Sequence, residues 1–192
     1  MFLLLFGHSA AAETVLITAS GYIDVDRGRL VTPAVVLVED GRIRAVNPAR
    51  PPTADRSIDL GERILLPGLM DLLDPTVLPP RKRAKAVYVM PRAKESLRKA
   101  IAAGVKVAVG TDAPILPHGK NAYEVAVMVE RGMTPAEALR SATIIPAKLI
   151  RRDDVGQITE GMHADLIAVA ANPLEDIGTL ENVSFVMKAG QV

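Results

Sequence analysis

The chain has 192 residues, of which 49% are hydrophobic and only 3% aromatic, so a packed core must be aliphatic and wholesale disorder is excluded. A net charge of +1 supplies no field that would recruit nucleic acid or an anionic membrane. The absence of cysteine excludes disulfides, thiolate metal sites and a cysteine nucleophile.

At the start of the chain, Leu3, Leu4, Leu5 and Phe6 are apolar, and Ala10-Ala11-Ala12 offers a small-x-small cleavage site before Glu13. Residues 1–12 therefore read as a signal-peptide remnant. A periplasmic or secreted location is expected from them, with the cytoplasm as the alternative. No other apolar run reaches the roughly 18 residues that a membrane span needs.

Residues 15–25 are apolar with Gly21 interrupting, the pattern of one strand or two. Residues 34–38 are largely β-branched. Asp40-Gly41 then marks a hairpin turn, with the returning strand over residues 43–46. The proline-rich stretch 47–54 reads as loop. Residues 57–66 predict short strands around Gly61. The first third is thus all-β.

The middle reads as α/β. Residues 69–73 suit a buried strand, and Pro75, Pro79 and Pro80 then forbid regular structure. The basic run Arg81, Lys82, Arg83 and Lys85 is a solvated stretch before a helix. Pro91 is placed at the first helical position, Ala93, Leu97, Ala100 and Ile101 share one helical face, and Gly104 suits the residue after the helix end. Val105, Val107 and Val109 predict a short strand closed by Gly110-Thr111-Asp112. A strand ending in an acid and a loop is where α/β folds place their chemistry. Residues 121–131 predict a helix stopped by Gly132. Thr134-Pro135-Ala136-Glu137 is a capping box opening another, expected to run to about Arg151 and to kink or end at Pro146. After residue 155 the chain returns to β, with strands over residues 164–169 and 183–188 and a turn at Asn172-Pro173.

This β, α/β, β order, with several short words, resembles the amidohydrolase superfamily, nearest its imidazolonepropionase-like and Xaa-Pro dipeptidase-like branch. The words are Val36-Leu37-Val38-Glu39-Asp40-Gly41-Arg42-Ile43, Leu66-Pro67-Gly68-Leu69-Met70-Asp71, Ala103-Gly104-Val105-Lys106 with Gly110-Thr111-Asp112-Ala113, Pro117-His118-Gly119, and Gly132-Met133-Thr134-Pro135-Ala136-Glu137-Ala138-Leu139 with Ala142-Thr143. Gly156-Gln157-Ile158 and the stretch from Gly161 to Val169 complete them. The resemblance implies a fold of class α/β plus β: a composite β-sandwich from both chain ends, residues 13–66 and 155–192, carrying a remnant of a TIM (β/α)8 metal-dependent hydrolase barrel over residues 67–154.

A full (β/α)8 barrel needs about 250 residues, so most of it would be absent between Asp71 and Asp112. In the resembled family the segment after Pro-Gly-Leu-x-Asp carries His-x-His, two metal ligands. Here those positions are Leu73 and Pro75, which bind no divalent ion. One family ligand is kept by position. Asp112 is expected both as metal ligand and as the catalytic carboxylate that takes the proton from a metal-bound water, and His118, in the following loop, as substrate-binding. Asp112 read without the family is a turn cap, and His118 an exposed loop histidine. Asp71 and Asp74 read as structural or turn residues, His163 as a surface histidine, and His8 belongs to the leader.

The implied cofactor is a divalent metal, zinc foremost, since a catalytic zinc site needs three protein ligands and an open position. The implied activity is hydrolysis of C–N bonds in amides, dipeptides with proline or cyclic amides, impaired in this chain. The competing class is a non-catalytic binding or assembly module centred on the sandwich. Unpaired edges of the strand at residues 105–109 would then lead to an oligomer or a partner chain.

Overall fold

The structure, a computed structural model, describes residues 13–50, 52–69, 82–110 and 121–192. Strands β1 (Thr14–Ala19), β2 (Gly21–Asp24), β3 (Arg29–Val31), β4 (Ala34–Glu39), β5 (Arg42–Val46), β6 (Arg56–Asp59) and β7 (Ile64–Pro67) fill the first third. Helices α1 (Lys82–Ala102), α2 (Tyr123–Glu130), α3 (Pro135–Ser141) and α4 (Ile144–Leu149) follow, then β8 (Leu166–Val169), a 3-10 turn at Ile177–Glu181, and β9 (Phe185–Met187). No helix among the described residues is long and apolar enough to cross a membrane.

Two sheets form, in the orders β5-β4-β1-β6 and β3-β2-β7-β8-β9. The β4–β5 hairpin turns at Asp40 and Gly41, with φ of 49° and 71°. Two successive positive-φ residues suit the right-handed twist of the flanking strands. In the second sheet, β7 pairs antiparallel with β8, joining Ile64 to Val169 and Leu66 to Ile167. Strands from the two ends of the chain are therefore neighbours in one ladder.

That sheet is covered on both faces, which explains why β7 and β8 are unbroken apolar runs. With a side-chain period of two, alternate residues serve different cores. Leu65, Leu166 and Ala168 face the first sheet and pack with Ile17, Val36 and Ile43. Ile64, Leu66, Ile167 and Val169 face the helices and pack with Val125, Met128, Leu139 and Ile144. The result is three layers: sheet, sheet, helices.

Several helical expectations need correction. Pro91 lies inside α1, not at its start. The helical face named from the sequence holds only in part: Leu97, Ala100 and Ile101 are half-buried, whereas Ala93 is exposed. The end of α1 is as expected. Gly104 takes φ +74°, its N–H donates to the Ile101 carbonyl, and the Val105 N–H reaches back to Ala100 (2.9 and 3.0 Å), the paired bonds of a Schellman ending.

The helix opened by Thr134 stops at Ser141 instead of continuing to Pro146. A helical proline collides with the carbonyl four residues back, here that of Ala142. The break therefore falls at Ala142 and Thr143, and Pro146 enters the first turn of α4. The buried hydroxyls of Ser141 and Thr143 donate to the Ala138 and Leu139 carbonyls (both 2.7 Å), bonds that loosen a helix. Residues 105–109 join no ladder among the described residues, because a strand needs a neighbouring strand to complete its bonds.

Candidate functional site

Asp112 and His118, the residues to which the sequence assigns chemistry, lie outside the described residues, as do Asp71 and Asp74. The scaffold leading to Asp112 is described. Val109 is 3% exposed, and its N–H donates to the Ser141 carbonyl (2.8 Å), pinning the segment before Gly110 against the end of α3. Helix α3 is fixed in turn. The Thr134 hydroxyl accepts from the Glu137 N–H (3.3 Å), while the Glu137 carboxylate accepts from the Thr134 N–H (2.8 Å). Arg140 donates to the Asp26 carbonyl and lies 3.6 Å from its carboxylate, tying α3 to the turn between β2 and β3. In that turn a Cβ at Gly28 would come within 2.8 Å of the Ala136 methyl, so helix and turn are in close contact.

His163, expected at the surface, is partly exposed there and joins a cluster around Asp154. Its Nε2 lies 3.1 Å from the Asp154 carboxylate, which also receives Arg152 and, at 3.5 Å, Arg42. The Arg152 hydrogen bond, with the charges of Arg152 and His163, overcomes partial desolvation and holds the Asp154 carboxyl down at about 2. The Arg42 guanidinium also donates to the Gly161 carbonyl (2.8 Å). This cluster clamps the β4–β5 hairpin to the segment preceding β8. The Asp154 carboxylate is thus engaged by Arg152, Arg42 and His163 together.

A cavity of about 440 Å³ lies between the end of β2 and the segment before β8, lined by Tyr22, Asp24, Arg27, Gln157, Thr159 and Glu160 among others. Desolvation pushes the Asp24 carboxyl up. Hydrogen bonds from the Arg27 side chain and N–H, with the charges of Arg27 and Arg29, outweigh it and hold the group below the usual range. Desolvation, then Asp24, raises the Tyr22 phenol. In the sequence this cavity is signalled only by the charged run Asp24, Asp26, Arg27 and Arg29 around a turn. Among the described residues no group of three or more His, Asp or Glu side chains is placed to hold a metal. These residues do not fit the implied ion, and no step through a metal is assigned to them.

A family model described as "Amidohydrolase family" matches residues 73–192. The chain is 42% identical over 99 residues to an ochratoxinase of Aspergillus niger, covering 48% of this chain and 20% of that protein. It is 43% identical over 77 residues to an imidazolonepropionase of Cutibacterium acnes, covering 38% of this chain and 19% of that protein. The chain thus spans about a fifth of the length of the curated relatives it matches. Among solved structures, a Xaa-Pro dipeptidase with bound methionine aligns with a TM-score of 0.80 at 18% identity, over 93% of this chain and 99% of that one. The A. niger ochratoxinase structure aligns at 0.75 and 15% identity, over 94% and 95%. At such identities the structural likeness speaks for the fold alone.

Proposed function

The chain belongs to the amidohydrolase family, and on that premise we propose that it derives from a metal-dependent hydrolase of C–N bonds, those of amides, proline dipeptides or cyclic amides, and is catalytically impaired. The observation that carries the reading is the family match itself, because residues 73–192 include both Asp112 and His118. Asp112 is the inherited metal ligand and catalytic carboxylate, and His118 the substrate contact. The names of the relatives, ochratoxinase, imidazolonepropionase and Xaa-Pro dipeptidase, agree with a hydrolytic ancestor.

Impairment is supported by the residues at the His-x-His positions, Leu73 and Pro75, neither of which carries a metal-binding atom in its side chain. On this reading residues 67–154 are a shortened barrel, and the paired strands of the two chain ends are the composite sandwich that carries it. The compartment proposed from residues 1–12 is periplasmic or extracellular.

The test is elemental analysis of the purified chain, with Asp112→Ala and His118→Ala as controls, beside a hydrolysis screen on N-acyl amino acids, Xaa-Pro dipeptides and cyclic amides. The expected result is a folded protein with less than stoichiometric zinc and no turnover. Stoichiometric metal that both substitutions abolish, with turnover, would sink the impaired reading and leave an active hydrolase.

A further inference from the structure

We propose that the groove between residues 105–109 and helix α4 receives an extended apolar segment with acidic flanks from a different protein, added alongside residues 105–109. The inference stands on its own observations and does not depend on the hydrolase reading.

The first observation is geometric. Val105 and Val107 line a cleft of about 150 Å³ with Ile101, Met133 and Ile145. Ala108 lines a second, of about 430 Å³, with Ile144 and Leu149, and Lys106 borders both. Side chains diverging to two sides with a period of two are the signature of a strand. Yet the N–H groups of Lys106, Val107 and Ala108 find no backbone acceptor among the described residues, while those of Val105 and Val109 do. A row of strand-like backbone with open hydrogen-bonding groups is a template for one more strand.

The second observation is apolar exposure at the same place. Val105, lining the smaller cleft, is 55% exposed, and Leu149, lining the larger, 67%. Clustered apolar exposure of this kind marks an interaction surface.

Charge selects the occupant. Among the described residues the larger groove is bordered by Lys106, Arg140 and Lys148 and by no acidic residue. Arg140 is engaged with Asp26, whereas Lys106 and Lys148 make no ion pair among the described residues. A second copy of this face would bring two more lysines and no free carboxylate, since Glu137 of the smaller cleft already accepts from the Thr134 N–H and hydroxyl. A partner that offers apolar residues to Ile145 and Leu149 and carboxylates to the two lysines satisfies both features. Among the described residues no aromatic side chain borders the groove, so they offer none of the stacking surface that single-stranded nucleic acids use.

The test uses the full chain and a short fluorescent peptide of alternating valine and glutamate, with a twin carrying lysine in place of glutamate, read by anisotropy. The glutamate peptide is expected to saturate, weakening as salt rises, and the lysine twin to stay free. Joint Lys106→Glu and Lys148→Glu substitution, both at exposed positions, should weaken the glutamate peptide at least about tenfold, with the circular dichroism spectrum unchanged. Absence of binding, equal binding of the two peptides, or equal binding of a thymidine oligonucleotide would overturn the proposal. So would a dimer in sedimentation that Leu149→Ser dissolves, since a second copy would then fill the groove.

Discussion

A Cβ added to Gly41 would lie 2.6 Å from the carbonyl oxygen of Ala189, and Gly41 itself sits at φ +71°. The hairpin turn of the N-terminal third is thus jammed against the last turn of the chain, and the Gly41 carbonyl accepts from the Ala164 N–H (2.8 Å). Gly41→Ala meets both a left-handed backbone and a collision with main-chain atoms that cannot swing aside. It is expected to cost about 3 kcal/mol. Gly61 also has positive φ, but a Cβ there meets nothing within 4 Å. Gly61→Ala should cost only about 1 kcal/mol. Urea unfolding of the two variants separates the terms, and equal losses would mean that the contact with Ala189 carries no weight.

The capping box at Thr134 holds the helix against which Val109 is pinned. Thr134→Ala leaves the Glu137 N–H without its side-chain acceptor and should cost about 1 kcal/mol, whereas Thr134→Ser keeps the bond and should cost a few tenths. Hydrogen exchange of the α3 amides reads the loss locally. Unchanged protection in Thr134→Ala would show that tertiary packing alone holds this end.

Asp154 sets an acid limit on the clamp. Its carboxyl stands at about 2 in the folded chain against an ordinary 3.8. A depressed carboxylate stabilises the fold above its unfolded pKa and loses that contribution as pH falls through the folded one. The stability from Asp154 is therefore complete above about pH 5 and disappears between about 3.8 and about 2. Asp154→Asn should flatten the urea midpoint across that window and lower it at neutral pH. A wild-type curve that the substitution merely shifts, with its slope intact, would assign the acid transition to other carboxylates, such as Asp24.

The parts legible in the sequence were those that local chemistry decides. Asp40-Gly41 marked the β4–β5 hairpin, the apolar run at residues 164–169 held the buried strand β8, and Thr134 with Glu137 marked the start of α3. Strand β3 escaped because Arg29-Leu30-Val31 is too short to show a period, and takes its conformation from pairing with Tyr22 and Ile23. The segment at residues 105–109 has the strand pattern but, among the described residues, no neighbouring strand to complete it. The clamp was invisible for a different reason. His163 and Asp154 are nine residues apart in a turn-rich stretch, and Arg42 comes from a hairpin more than a hundred residues earlier, so only the assembled sheets bring the three together. Asp112 and His118 rest on family resemblance and lie outside the described residues.

The ladder between β7 and β8 makes one further demand. Leu166 is fully buried in the core that also holds Val15, Ile17, Val36 and Ile43, although the four described helices and more than 120 residues separate it from each of them in sequence. If the two chain ends form one cooperative unit, Leu166→Ala should destabilise the whole by about 3 kcal/mol, the usual cost of a leucine-sized core cavity. The β1 and β4 amides should then lose exchange protection by the same factor as those of β7. If the N-terminal sheet instead folds alone, β1 and β4 would keep full protection while β7 and β8 open. Cooperative loss is the outcome the packing requires, because Leu65 and Leu166 face the first sheet while their neighbours Leu66 and Ile167 face the helices. No layer of the stack keeps its core when the middle sheet comes apart.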